Sequence, residues 1–125
     1  MALGLLLSDD LIFISRITGT ARSLGLTVRP ARTVEALEAQ ARQENPTCVL
    51  VDLGFPGLDV PDLIGRLRAA CPAAPRVVGY GSHVDAAGLK AARAAGCDLV
   101  LPRSAFVEQL PTALPEWLAN PGGVR

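Results

Sequence analysis

Asp52 is the carboxylate best placed for chemistry. It ends an apolar run, Cys48-Val49-Leu50-Val51, and Pro56-Gly57 follows, so it reads as an acid at the carboxyl end of a buried strand entering a tight turn. A second cluster, Ser8-Asp9-Asp10, closes an earlier apolar run from Leu3 to Leu7. In open parallel α/β sheets, chemistry collects outside the carboxyl ends of the strands, at the point where strand order reverses. Two acidic sites there point to a cation and a phosphoryl group.

The elements that must hold these acids alternate along the chain. After Leu3–Leu7, the residues Ile14, Ile17, Ala21 and Leu24 recur three or four apart, the stripe of an amphipathic helix that Gly25 ends. Leu26-Thr27-Val28 reads as a short strand, and Thr33 caps a helix carrying Val34, Leu37 and Ala41 until Asn45-Pro46 stops it. Cys48–Val51 is the third strand. Asp59-Val60-Pro61 opens a helix with Leu63, Ile64, Leu67 and Cys71 on one face. Val77-Val78 starts a fourth strand, Asp85 to Ala95 is an alanine-rich helix ended by Gly96, and Leu99–Leu101 is a fifth strand. From about Ser104 to Ala119 the helical pattern carries Pro111 and Pro115, so a kink or two short pieces is expected rather than one straight helix. The fold class is α/β: a doubly wound five-stranded parallel sheet, (βα)5, covered on both faces. Residues 1–119 form one domain and residues 120–125 a frayed tail.

Bulk properties narrow the functions. A chain of 125 residues makes one domain, and its 12 basic residues balance its 12 acidic ones, so nothing attracts it generally to nucleic acid or to an anionic membrane. The aromatic residues Phe13, Phe55, Tyr80, Phe106 and Trp117 are few and scattered, which argues against a base-stacking platform. Cys48, Cys71 and Cys97 form no CxxC pair, so buried inert thiols are expected rather than zinc ligands or a disulfide framework. The apolar start reaches Asp9 before a signal-peptide core or a membrane span could form; the expected location is the cytoplasm.

Asp52 with Pro56-Gly57 and Asp59, the acidic Ser8-Asp9-Asp10 and the (βα)5 pattern together resemble the receiver domain of bacterial response regulators, through Trp117. The resemblance implies the flavodoxin-like (CheY-like) strand order 2-1-3-4-5. It implies that Asp52 accepts a phosphoryl group from a histidine kinase or phosphotransfer protein, passing the signal to a downstream protein by contact. It also implies Mg²⁺, weakly held by Asp9, Asp10, Asp52 and the carbonyl of Gly54. Asp9 matches one family ligand by its spacing; the other acidic position falls on Ser8, unless the register slips by one and Asp9 and Asp10 are the pair. The family's phosphate-contacting lysine, usually in a Lys-Pro pair, is replaced by Arg103-Ser104. Its switch hydroxyl at the end of the fourth strand falls where this chain reads Gly79-Tyr80-Gly81, with Ser82 the nearest small hydroxyl.

Plainer readings stand beside these. Asp9 or Asp10 can simply cap the first helix, Arg103 can be a surface arginine, and His83 is expected to be exposed, neither phosphodonor nor base. Gly79-x-Gly81 alone is no dinucleotide fingerprint. Three functions follow. One is a stand-alone receiver, not an enzyme, phosphorylated on Asp52. The alternative is a pseudo-receiver acting as a phosphorylation-independent protein-interaction module, and a flavodoxin-like cofactor protein ranks last because Ser8-Asp9-Asp10 puts negative charge where a phosphate cradle would lie. The receiver reading carries a further expectation, a homodimer through the fourth helix, fifth strand and fifth helix. That stretch combines the small Ala91, Ala92, Ala94 and Ala95 with Arg93, Arg103 and Trp117.

Overall fold

The computed structural model describes residues 2–119; the tail assigned to 120–125 lies outside them. Apolar runs too continuous for a half-solvated strand form the middle of a parallel sheet, where both faces are buried. The strands β1 (Gly4–Leu7), β2 (Val28–Ala31), β3 (Cys48–Asp52), β4 (Arg76–Gly81) and β5 (Leu99–Pro102) pair in the order β2-β1-β3-β4-β5, all parallel. Five helices alternate with them: α1 (Leu11–Ser23), α2 (Val34–Glu44), α3 (Val60–Ala70), α4 (Ala86–Ala95) and α5 (Arg103–Leu118).

Alternation along β3 divides the core. Val49 and Val51 pack with Leu37 of α2, Leu63 and Leu67 of α3 and Leu89 of α4, whereas Cys48 and Leu50 pack with Ile17 of α1 and Phe106, Leu110 and Leu114 of α5. The sheet therefore lies between α1/α5 on one face and α2/α3/α4 on the other, and the carboxyl ends of β1 and β3 meet at the switch point.

Two elements depart from expectation. The second strand is Val28–Ala31 rather than Leu26–Val28, and it contains Pro30. As the outermost strand it pairs only with β1, and an edge tolerates a residue without an amide donor. The final helix is one element from Arg103 to Leu118 with Pro111 and Pro115 inside it. Its apolar face, Phe106, Leu110, Leu114, Trp117 and Leu118, is buried against the sheet, and that burial offsets the backbone hydrogen bonds the prolines forfeit.

All three cysteines are free and buried. Burial pushes the Cys48 thiol up to about 12 and that of Cys97 up to about 11, and raises Cys71 as well. The thiolate is the reactive form, so native protein at pH 8 should leave a disulfide reagent such as Ellman's unreacted until denaturant is added. Rapid release of one equivalent of chromophore from native protein would contradict this packing.

Candidate functional site

The loop after β3 is built as its residues dictate. The Leu58 amide donates to the Phe55 carbonyl at 3.2 Å, closing a turn over Pro56-Gly57, and Gly57 sits at φ 72°, a left-handed conformation open to glycine at little cost. Asp59 then caps α3, its carboxylate accepting from the Asp62 amide at 3.0 Å. Asp52 is left facing the switch point. It is only 6% exposed, so each polar contact it makes matters.

Those contacts are three. The Ser8 hydroxyl donates to Oδ2 at 3.2 Å, the Gly54 amide donates to Oδ1 at 2.9 Å, and the Arg103 guanidinium lies 4.0 Å from Oδ1. Ser8 is itself fully buried and accepts from the Asp10 amide at 3.1 Å, which fixes the direction of its own proton toward Asp52. Arg103 is exposed and also lies over the Phe13 ring, 5.7 Å from its centroid, so it bridges the acid and an aromatic edge.

The sequence-derived ligand set is only partly brought together. Register pairs Leu7 with Val51, which puts Ser8 beside Asp52 and removes the one-residue slip that would make Asp9 and Asp10 the acidic pair. Asp10 instead caps α1, accepting from the Ile12 and Phe13 amides at 3.1 Å each. Asp9 is exposed. Gly54 donates its amide to Asp52. Among the described residues, no three Asp, Glu, His or Cys side chains come together. With Ser8 neutral and Asp10 engaged as a cap, the acids left for a Mg²⁺ ion at the switch point are Asp52 and Asp9, and the Arg103 guanidinium stands beside Asp52.

The end of β4 resolves the hydroxyl position. Tyr80 pairs laterally with Asp52, and Gly81 is the last strand residue; neither presents a small hydroxyl. Tyr80 points into the α1/α5 core, stacked on Phe13 at 5.1 Å and Phe106 at 4.4 Å, and Phe106 stacks on Trp117 at 5.5 Å. The Tyr80 hydroxyl is buried without a hydrogen-bond partner among the described residues. Burial first, and then the neighbouring Asp52 charge, raise its pKa, so it remains a neutral phenol. Gly81 lies on the opposite face of the strand, where a Cβ would meet Leu89 at 3.2 Å and Leu53 at 3.3 Å.

Of the stretch expected to dimerise, Ala91, Arg93, Ala94 and Arg103 are exposed and the rest is partly taken up by the fold. Trp117 is core, Ala92 is buried, and the Arg93 guanidinium donates to the Val100 carbonyl at 3.1 Å, tying α4 to β5. Trp117 is thereby removed from the proposed face. Arg16 and His83, which carry no role in the sequence reading, border a groove with Arg103; the helical spacing of Phe13 and Arg16 on α1 is the signal that places Arg16 there.

No family model and no curated protein matches this chain. Solved structures do. A protein assigned as a response regulator from Chloroflexus aurantiacus J-10-fl is 22% identical, with 94% of this chain and 98% of that one covered at a TM-score of 0.80. The signal receiver domain of a response regulator from Bermanella marisrubri is 24% identical, with 94% and 98% covered at 0.79. A Burkholderia pseudomallei response regulator whose crystal carries a phosphorylated aspartic acid, a calcium ion and citrate is 23% identical, with 93% and 70% covered at 0.74. The fold is that of response-regulator receiver domains, the flavodoxin-like arrangement with strand order 2-1-3-4-5. No helix among the described residues is long and apolar enough to cross a membrane.

Proposed function

We propose that this chain is a pseudo-receiver, a protein-interaction module that keeps the receiver fold and signals without phosphorylation of Asp52. The observation that carries the reading is the hydrogen bond from buried Ser8 to Asp52. It puts a neutral donor where a metal pocket of this fold places an acid, so the Asp52 charge is met by a hydroxyl, an amide and Arg103. Arg103 cannot deprotonate and holds its charge in a planar fork, so it is a lasting counter-ion for Asp52. The end of β4 carries no Ser or Thr, and the Tyr80 ring is held in a stack between Phe13 and Phe106, which agrees with a site that does not rearrange.

The deciding experiment is intact-mass spectrometry after incubation with acetyl phosphate and Mg²⁺. The expected result is an unmodified chain. Near-stoichiometric addition of one phosphoryl group, lost in Asp52→Asn, would replace this reading with the second one, phosphoryl acceptance from a histidine kinase or phosphotransfer protein. In that case the Asp52 oxygen attacks phosphorus as the phosphorus–nitrogen bond to the donor imidazole breaks. Asp9, Asp52 and the Gly54 carbonyl would then be the ligands for Mg²⁺. The position of Asp52 at the end of β3, and the phosphorylated aspartic acid of the Burkholderia structure, are what favour it.

A further inference from the structure

A groove of about 550 Å³ opens between α1, the segment after β4 and the first turn of α5. Arg16, His83 and Arg103 border it with the hydroxyls of Ser82 and Ser104, Phe13 forms an apolar wall, and no carboxylate lines it. Arg16 makes no ion pair among the described residues, and Arg103, which also lies over the Phe13 ring, meets Asp52 only at 4.0 Å. The first turn of α5 belongs to the same groove: its cap is Pro102, which supplies no side-chain acceptor, and no acid stands in that turn. Its amides add donors to those of the two guanidiniums.

We propose that this groove binds the phosphate monoester of a small organic molecule. Two guanidiniums, each able to hold two oxygens in its planar fork, call for a ligand with several oxygens and close to two negative charges, which a phosphate monoester carries at neutral pH. The Phe13 edge receives the organic part. A volume of about 550 Å³ is that of a small-molecule site. Binding here is reversible and separate from covalent chemistry at Asp52, so it supplies an input for a receiver fold that is not phosphorylated.

The test is an amide NMR titration of the full chain with phenyl phosphate, against sodium chloride at matched ionic strength. Saturable shifts are expected in the amides of His83, Arg103 and Ser104, with affinity reduced at least tenfold by Arg16→Glu and unchanged within about twofold by Arg22→Glu, an exposed arginine that does not line the groove. Ser104→Asp is a second variant. An acid in the first turn favours helix α5, so this protein folds, yet its charge should abolish binding. Shifts matched by chloride, or unaffected by both Arg16→Glu and Ser104→Asp, overturn the site. So does binding confined to a phosphoserine peptide, which would make the ligand a protein. Acetyl phosphate modifying Asp52 would refute the pseudo-receiver reading alone, because groove binding is read through Arg16→Glu and Ser104→Asp and not through the state of Asp52.

Discussion

Ser8→Asp is expected to tighten Mg²⁺ binding at least tenfold over the wild-type chain, a gain of about 1.4 kcal/mol or more. The new carboxylate would occupy the place of a hydroxyl 3.2 Å from Asp52, and a third acid beside Asp9 and Asp52 supplies the donor the present set lacks. Without metal the same change should cost about 1–3 kcal/mol at pH 7, since Ser8 is fully buried and the added charge faces Asp52 in a poorly solvated site. The sign of the pH dependence follows. Two crowded carboxylates raise a folded-state pKa above its unfolded value, so the destabilisation is complete above the raised pKa and fades as pH falls toward the ordinary aspartate range. Urea unfolding at pH 7 and at acid pH, with and without Mg²⁺, measures both halves, and Ser8→Ala separates the lost hydrogen bond from the added charge. Equal Mg²⁺ affinity in wild type and Ser8→Asp would show that the hydroxyl is not what keeps the metal out.

Phe106→Ala should be the most damaging single truncation of the core, lowering stability by about 3–5 kcal/mol. Phe106 is fully buried and is the centre of a stack, 4.4 Å from Tyr80, 5.5 Å from Trp117 and 6.4 Å from Phe13, so its removal opens a cavity and breaks three aromatic contacts. Against a total of about 5–15 kcal/mol for a domain, such a loss approaches the threshold of folding. A fall in Tm of roughly 12–20 °C is expected by calorimetry for a domain of this size. Phe55, half-buried in the loop after β3 and outside the stack, should lose less than half as much on truncation to alanine. Comparable losses at the two positions would deny the stack any special weight. The prediction bears on the site because Phe13, one end of the stack, is also the surface on which Arg103 rests.

How much of this protein is legible in its sequence can be judged residue by residue. The continuous apolar runs ending in Leu7 and Asp52, the capping residues Thr33, Asp59 and Asp85, and the glycines ending α1 and α4 are local signals, decided by neighbours within one turn or one strand. They determined the alternating α/β fold, and Asp52 at a strand end with them. The second strand, read as Leu26–Val28 but running through Pro30 to Ala31, and the helix through Pro111 and Pro115 departed from local signals for the same reason: a proline's local cost is readable, but whether the strand is an edge or the helix face is buried is not.

The site's character lies beyond local signals. Ser8 and Asp52 are 44 residues apart, and only the register of β1 against β3 makes one the hydrogen-bond donor of the other. That same register leaves Asp10 to cap α1. Phe13, Tyr80, Phe106 and Trp117, scattered in sequence, become one stack, buried but for the partly exposed Phe13, because alternate residues of β4 face α1 and α5. Arg16, His83 and Arg103 border one groove because the sheet brings the amino ends of α1 and α5 and the end of β4 to the same edge. The sequence by itself determined which elements form and where an acid would sit; tertiary structure decided which charges that acid meets, because contact between distant residues depends on strand order and register rather than on the residues alone.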